Sequence, residues 1–299
     1  MQQKRIILAG ATGALGLKIA HYLIQSGATV RALVRRGSAG DAVVALKQQG
    51  VEIVEVDYKD LNQLAQACAD GDCVVSALSG LREVIIDAQT NLLQAAVAAH
   101  VPRFIPSDYC IDYTRLPPGS NRNLDLRREF AQRLDKAPIA ATSVLNGMFT
   151  DLLTGQAPVV LFGLRRIAYW GDAGKLLDFT TLDNTTHFTA LAALGDTTPR
   201  YLRIAGEIAD VMDLKQAATQ VTGKTFRLFR IGSLRAFRTL IRITKTIAPS
   251  EQEVFPPWQG MQYLHDMFSG LPKLNPLDNN RYAGIRWTTI REVLASRAS

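Results

Sequence analysis

Short apolar runs alternate with longer stretches of helical spacing from residue 5 to residue 105, and this alternation leaves the chain few possible folds. "RIILAG" reads as a buried strand. "ALGLKIAHYLIQSG", with Leu15, Ile19 and Leu23 on one face, reads as a helix closed at Gly27. "ATVRALVR", "VEIVEVD", "CVVSAL" and "RFIPS" predict further strands. Between them "DAVVALKQQG", "DLNQLAQACADG" with Asp60 as cap, and "REVIIDAQTNLLQAAVAAH" predict helices. A strand, a helix and a parallel strand form a right-handed unit, and such units in series wind a parallel sheet with helices on both faces. The expected class is α/β with a doubly wound parallel sheet.

A break follows the fifth strand, and beyond residue 150 the alternation weakens. "DYTRLPPGSNRNLDL" reads as a surface loop, "RREFAQRLDK" as a helix and "AATSVLNGMF" as a sixth strand. "RYLRIAG" suggests one more strand of the same sheet. "TFRLFRI", the basic helix after it and "SGLPKLNPLDNNRYAG" suggest a smaller α/β lobe. In "TTIREVLASRA" Thr289 and Glu292 have capping-box spacing. The expected division is a first domain over 1–150, with 151–299 completing the sheet and forming the lobe.

Composition narrows the classes of function. With 47% apolar residues among 299, the chain can bury a large core, and no apolar run reaches the length of a membrane span. Lys4 and Arg5 lead directly into a short strand, so no signal peptide is expected. Cys68, Cys73 and Cys110 lack CxxC spacing, which favours a reducing, cytoplasmic compartment. The net charge of +7 is partly local, in Arg227, Arg230, Arg235, Arg238, Arg242 and Lys245. A helix from Arg235 onward would gather these on one face, with Phe237, Leu240, Ile241 and Ile243 forming much of the rest. The expectation is a solvated basic face over a buried stripe, with no nucleic-acid partner. His21, His100, His187 and His265 lack metal-ligand spacing, and His187 is expected near a helix start.

"IILAGATGALG" places Gly10, Gly13 and Gly16 directly after the first strand and at the start of the first helix. A bare turn has the same spacing, but this position in a βαβ series is the context a phosphate cradle requires. Gly10 would make the turn, Gly13 would let the backbone approach a pyrophosphate, and Gly16 would let helix and strand pack closely. With Ala11, Thr12, Ala14 and Leu15 they form the loop and first helical turn, whose free N–H groups face the anion. At the end of the second strand, where an NAD site carries an acid, the chain has Arg35 and Arg36. A guanidinium binds a 2′-phosphate through paired hydrogen bonds, so NADP(H) is the expected cofactor, with Lys47 adding charge.

"AGATGALG", "LVRRG", "LKQQGVEIVEVDYKD", "VVSALSG", "NLLQAAVAAHVPRFIPSDY" and "TSVLNGMFTD" follow one another in a familiar order. In these residues the chain resembles the NmrA-like, isoflavone-reductase-like members of the atypical short-chain dehydrogenases, strongly over about residues 5–150 and again in "RYAGIRWTTIREVL". The resemblance implies a Rossmann domain that binds NADP(H) and a smaller lobe that closes a substrate cleft. It further implies that Asp57 and Tyr58 flank the adenine and that Ser76, Ala77, Leu78 and Ser79 lie along the cofactor. Asn146, Gly147 and Phe149 would sit near the nicotinamide, and Asp183 would cap a helix.

No tyrosine of the chain has a lysine four residues later, so the usual acid of short-chain dehydrogenases is not encoded. At the place of the isoflavone-reductase branch's lysine the chain has Glu129, beside Arg127 and Arg128, with Lys136 about two turns downstream a poor substitute, a departure that brings the chain closer to quinone and dye reductases. Electron-poor acceptors of that kind need no strong positioned acid, so no catalytic residue is named. Asp108 and Tyr109 are the expected substrate contacts. The expected function is an NADPH-dependent oxidoreductase that passes hydride to a small aromatic or quinone-like acceptor. A redox sensor that binds NADP(H) without turnover and changes its protein partners is the alternative. An epimerase shares the glycine pattern but needs the missing Tyr/Lys pair.

Overall fold

The computed structural model describes residues 3–298. In chain order the elements begin with β1 (Arg5–Ala9), α1 (Ala14–Gln25), β2 (Thr29–Arg35), α2 (Asp41–Gln48), β3 (Glu52–Val56), α3 (Leu61–Cys68) and β4 (Cys73–Ser76). They continue with α4 (Gln89–Ala98), β5 (Arg103–Ile105), α5 (Arg122–Leu134), β6 (Ala140–Ala141), β7 (Ser143–Leu145), β8 (Met148–Phe149), β9 (Val160–Leu161), β10 (Arg166–Trp170) and β11 (Leu177–Thr180). The last are α6 (Leu182–Leu194), β12 (Tyr201–Arg203), β13 (Glu207–Ala209), α7 (Val211–Thr222), β14 (Arg227–Gly232), α8 (Leu234–Ile247), α9 (Pro257–Ser269) and α10 (Ile290–Ala298).

The chain divides into two units, and it passes between them several times rather than once at residue 150. Unit 1 is Met1–Asp108, Leu126–Val144 and Thr185–Leu202; unit 2 is Tyr109–Asp125, Leu145–Asn184 and Arg203–Ser299. The reason is that later segments return to the first sheet: Arg103 of β5 donates to the carbonyls of Ala192, Ala193 and Gly195 at the end of α6.

Unit 1 holds one parallel sheet in the order β3-β2-β1-β4-β5-β6. Ile6 to Ala9 of β1 are fully buried, as are Val74 and Val75 of β4, because strands covered on both faces are built mostly from apolar side chains. Asp60 caps α3 by accepting the Gln63 N–H at 3.0 Å. The long helix before β5 starts with a π-helical turn, Glu83–Ala88, and only then becomes α4. His187 lies inside α6 rather than at its start, where its ring stacks on Tyr22 at 4.4 Å.

The expected sixth strand is three pieces. β6 ends the large sheet, β7 pairs with β12, and β8 pairs with β11. Gly147, at φ +69°, turns the chain between the last two. "RYLRIAG" therefore joins β7 and not the large sheet. Helix α5 begins at Arg122, ahead of the expected "RREFAQRLDK", because the Asn121 side chain receives the Leu124 N–H.

Unit 2 is built from sheets of three strands, β14-β10-β9 and β13-β11-β8. Trp170 of β10 stacks on Phe237 of α8 at 4.0 Å, and Phe268 of α9 lies 6.0 Å from Trp170. The basic helix is less covered than its pattern suggests. Phe237 and Ile241 are buried, but Leu240, Ile243 and Ile247 are 44%, 49% and 78% exposed. Two of the segment's cations serve the fold: Arg230 donates to the Gly171 carbonyl, and the Lys245 ammonium lies 4.8 Å from the Trp258 ring. The predicted capping box forms at α10, where Thr289 and Glu292 exchange hydrogen bonds.

Candidate functional site

The order in which strands are added to the parallel sheet reverses between β1 and β4, the place where open α/β sheets bind ligands beyond their strand ends. Two loops meet there within unit 1. Gly10 takes φ +76°, and a Cβ on it would lie 2.5 Å from the Ala77 carbonyl oxygen. A Cβ on Gly16 would strike the Gly10 carbonyl and come within 2.7 Å of the Ala11 Cα. Neither position can carry a side chain without moving backbone. Gly13 differs, because its Cβ would meet only the Gly10 oxygen, at 3.5 Å, and would occupy space in front of α1. That helix has no side-chain cap and no acid in its first turn, so its terminal N–H groups keep their attraction for an anion. Ala11, Thr12, Ala14 and Leu15 complete this loop and turn.

The other unit 1 residues divide into those that gather at the strand ends and those that do not. Arg35 closes β2 beside Val56 of β3, exposed to solvent. Burial pushes the Tyr58 hydroxyl well above its ordinary range, with the Cys68 thiol adding to the shift and the Arg35 guanidinium opposing it. Arg35 and Tyr58 are therefore electrostatic neighbours. Asp57 is exposed and accepts the Lys59 N–H, while the Asn91 amide holds the Tyr58 carbonyl. Ser76 is fully buried with no partner for its hydroxyl, and Leu78 is fixed by the Ser107 hydroxyl at 2.7 Å; Ala77 and Ser79 flank it.

Lys47 does not join them. It lies in the last turn of α2, which leads to the amino end of β3, whereas Arg35 is at the carboxyl end of β2. Four residues of strand separate those levels, about 13 Å. Asp108 is also displaced from its expected role. It is fully buried and accepts the Ser143 hydroxyl at 2.7 Å, which in turn receives Arg200 at 2.7 Å. Tyr109 is buried as well. Glu129 is tied to Arg82 and Arg133, whose hydrogen bonds, Arg82 first, hold its carboxyl below the usual range. It stands in a surface ion pair. Burial raises the Cys68 and Cys73 thiols to about 12, so neither is a nucleophile at neutral pH.

In unit 2, Asn146 is fully buried, and neither its side-chain oxygen nor its nitrogen has a partner, although its backbone N–H reaches the Cys110 carbonyl at 3.0 Å. A buried amide without partners costs about 1–3 kcal/mol, which marks the position as one made for something else. Gly147 sits so close to Asp178 that a Cβ would lie 2.8 Å from its carbonyl carbon. Phe149, in β8, is half-buried. Gly147 lines a small hollow with room for about one water, which Asp178 and Lys273 also line. Lys273 is ion-paired with Asp178, whose other oxygen accepts the Leu274 N–H at 2.8 Å. Burial nevertheless raises the Asp178 carboxyl above its ordinary range, against the pull of the Leu274 N–H and the lysine. Sequence reasoning missed this pair: 95 residues separate the partners, and no local pattern marks either one. Among the described residues, no cluster of acids, cysteines and histidines suits a metal ion, and no helix is long and apolar enough to cross a membrane.

The NmrA-like family profile matches residues 2–255. Pinoresinol reductase 1 of Arabidopsis thaliana is 28% identical over 288 residues, covering 89% of this chain and 86% of its own. Among solved structures, AtPrR2 with NADP+ and (+)pinoresinol superposes with a TM-score of 0.82 at 22% identity, over 99% of each chain. An Escherichia coli NADPH-dependent quinone oxidoreductase complexed with NADPH gives 0.76 at 19% identity, over 97% of this chain and 99% of that one. At these identities the structural likeness speaks for the fold.

Proposed function

The chain belongs to the NmrA-like family, and on that premise we propose that it is an NADPH-dependent reductase acting on a small aromatic acceptor of phenylpropanoid type. The observation that carries the reading is the approach of Gly10 to Ala77 at the sheet's reversal point, with Gly13 clearing the space before an uncapped helix. Gly10 to Gly16 would hold the pyrophosphate through backbone N–H groups, and Arg35 the 2′-phosphate. Tyr58 and Asp57 would border the adenine. The segment from Ser76 to Ser79 would follow the cofactor, and Asn146, Gly147 and Phe149 are proposed for its nicotinamide end. When bound, the nicotinamide supplies the hydride; the chain itself supplies orientation and exclusion of water. Lys47, Asp108, Tyr109 and Glu129 are left out of the site for the reasons of position and burial given above.

The test follows NADPH absorbance at saturating protein, with and without phenylpropanoid, quinone and dye acceptors. Acceptor-dependent loss of NADPH, with NADH much slower, is the expected result. Cofactor binding without turnover on any acceptor overturns the reductase reading. Arg35→Ala is expected to weaken NADPH binding by about 10- to 100-fold, or about 1.4–2.8 kcal/mol, and to leave NADH binding unchanged. Equal losses for both cofactors would remove Arg35 from the 2′-phosphate.

A further inference from the structure

The basic helix α8 carries three rows of side chains, each roughly a third of a turn from the next. The inner row, Phe237 and Ile241, is buried, with Phe237 on the Trp170 ring. A second row, Leu240, Ile243 and Ile247, repeats at three- and four-residue spacing and stands in solvent, with Ile247 78% exposed. Ala236 starts that row at the end of β14, where its methyl would lie 3.8 Å from a Cβ on Gly232. The third row is Arg235, Arg238 and Arg242, all exposed. Among the described residues none of these guanidinium groups has an ion pair, and the chain has no acid between Asp213 and Glu251.

We propose that α8 docks on an anionic lipid surface, with Leu240, Ile243 and Ile247 in the acyl boundary and Arg235, Arg238 and Arg242 on the lipid phosphates. The charged row selects the occupant. Cations without counterions repel a second copy of the same face, whereas guanidinium groups bind phosphate through paired hydrogen bonds. The apolar row selects against a polyanion such as a nucleic acid, which would leave Leu240, Ile243 and Ile247 in water. A convex row of aliphatic side chains offers no donor, acceptor or cleft. Its partner is an apolar phase that moulds to it, as the acyl boundary does. At 14 residues the helix is about 21 Å long, too short to span a bilayer and suited to lie on one. The buried Phe237 already holds α8 in place, so docking adds no cost of folding a helix.

The test is flotation of the full chain with vesicles of phosphatidylcholine and phosphatidylglycerol, about three to one, against vesicles of phosphatidylcholine alone. Binding at least tenfold tighter to the anionic vesicles is expected, and it should weaken about tenfold or more when salt is raised to about 0.5 M. Arg238→Gln combined with Arg242→Gln should weaken it by about 30-fold. Ile243→Ser combined with Ile247→Ser leaves every charge in place and should weaken it by about tenfold. All four positions are exposed, so circular dichroism and Tm should match wild type. Ile247→Trp adds a reporter whose fluorescence should shift to the blue with anionic vesicles and stay unchanged with neutral ones. Equal binding to both kinds of vesicle, no binding to either, or binding that survives both double substitutions overturns the proposal. So does a dimer in analytical ultracentrifugation that the two serine substitutions dissociate, because a second copy would then cover the row.

Discussion

Unit 1 and unit 2 solve the same burial problem by different means. In unit 1 one sheet grows by repeating a strand and a helix, so each strand's neighbours follow from the chain's own order, apart from the reversal between β1 and β4. Its core is one continuous cluster that includes Ile7, Leu64, Val74, Leu92, Phe104 and Phe130. In unit 2 no sheet exceeds three strands, and β8 finds its partner β11 about thirty residues on. What closes unit 2 is a set of aromatic stacks and polar anchors between distant segments. Trp170 meets Phe237, Arg203 meets the buried Asp112 at 2.7 Å, and the Asn184 side chain holds both the Arg286 carbonyl and the Thr288 N–H. A repeated local pattern specifies a sheet; single residues far apart in sequence specify the closure of a small, irregular one.

The largest expected effect tests the aromatic closure. Phe237→Ala removes a fully buried ring from the Trp170 stack and should cost about 3–5 kcal/mol, read from the urea midpoint. A loss under about 1 kcal/mol would break the comparison, because unit 2 would then not depend on the stack. Gly16→Ala comes next. The new methyl meets backbone, so a cost of about 1–3 kcal/mol together with loss of NADPH binding is expected from calorimetry and cofactor titration. Gly27→Ala is its control: that position has φ +81° but open space around it, so only a backbone penalty of about 1 kcal/mol and unchanged cofactor binding should appear. The smallest effect concerns the cap of α10. Hydrogen bonds from the Thr289 backbone and hydroxyl, and then from Arg286, lower the Glu292 carboxyl from 4.5 to about 2. A depressed carboxylate stabilises the fold above its unfolded value and loses that contribution as pH falls through the folded one. Glu292→Gln should therefore lower Tm slightly at neutral pH, and the difference from wild type should vanish between pH 4.5 and 2.

The glycine loop was legible because its requirements are local: a turn, a close approach and a helix start within seven residues. Arg35 was legible for the same reason, since its place follows from the end of one strand. Lys47 misled because charge is visible in a sequence, whereas the direction in which a helix carries it away from the strand end is not. Asp108 misled because burial is not written in a loop: only the fold brings Ser143 and Arg200 to it. The exposed Leu240, Ile243 and Ile247 show the same limit, since periodicity defines a helix face without saying how much of it a neighbour covers.

From the amino-acid order alone came the α/β class, the parallel winding of the first sheet, the tight loop of Gly10, Gly13 and Gly16, and the basic residue at the end of β2. These rest on interactions among residues close in the chain, where spacing determines geometry. Tertiary structure alone decided the splitting of the sixth strand, the passage of the chain between two units, the unpartnered Asn146 amide and the Asp178–Lys273 pair. Those depend on which distant segments displace water from one another, and a one-dimensional pattern carries no record of that choice.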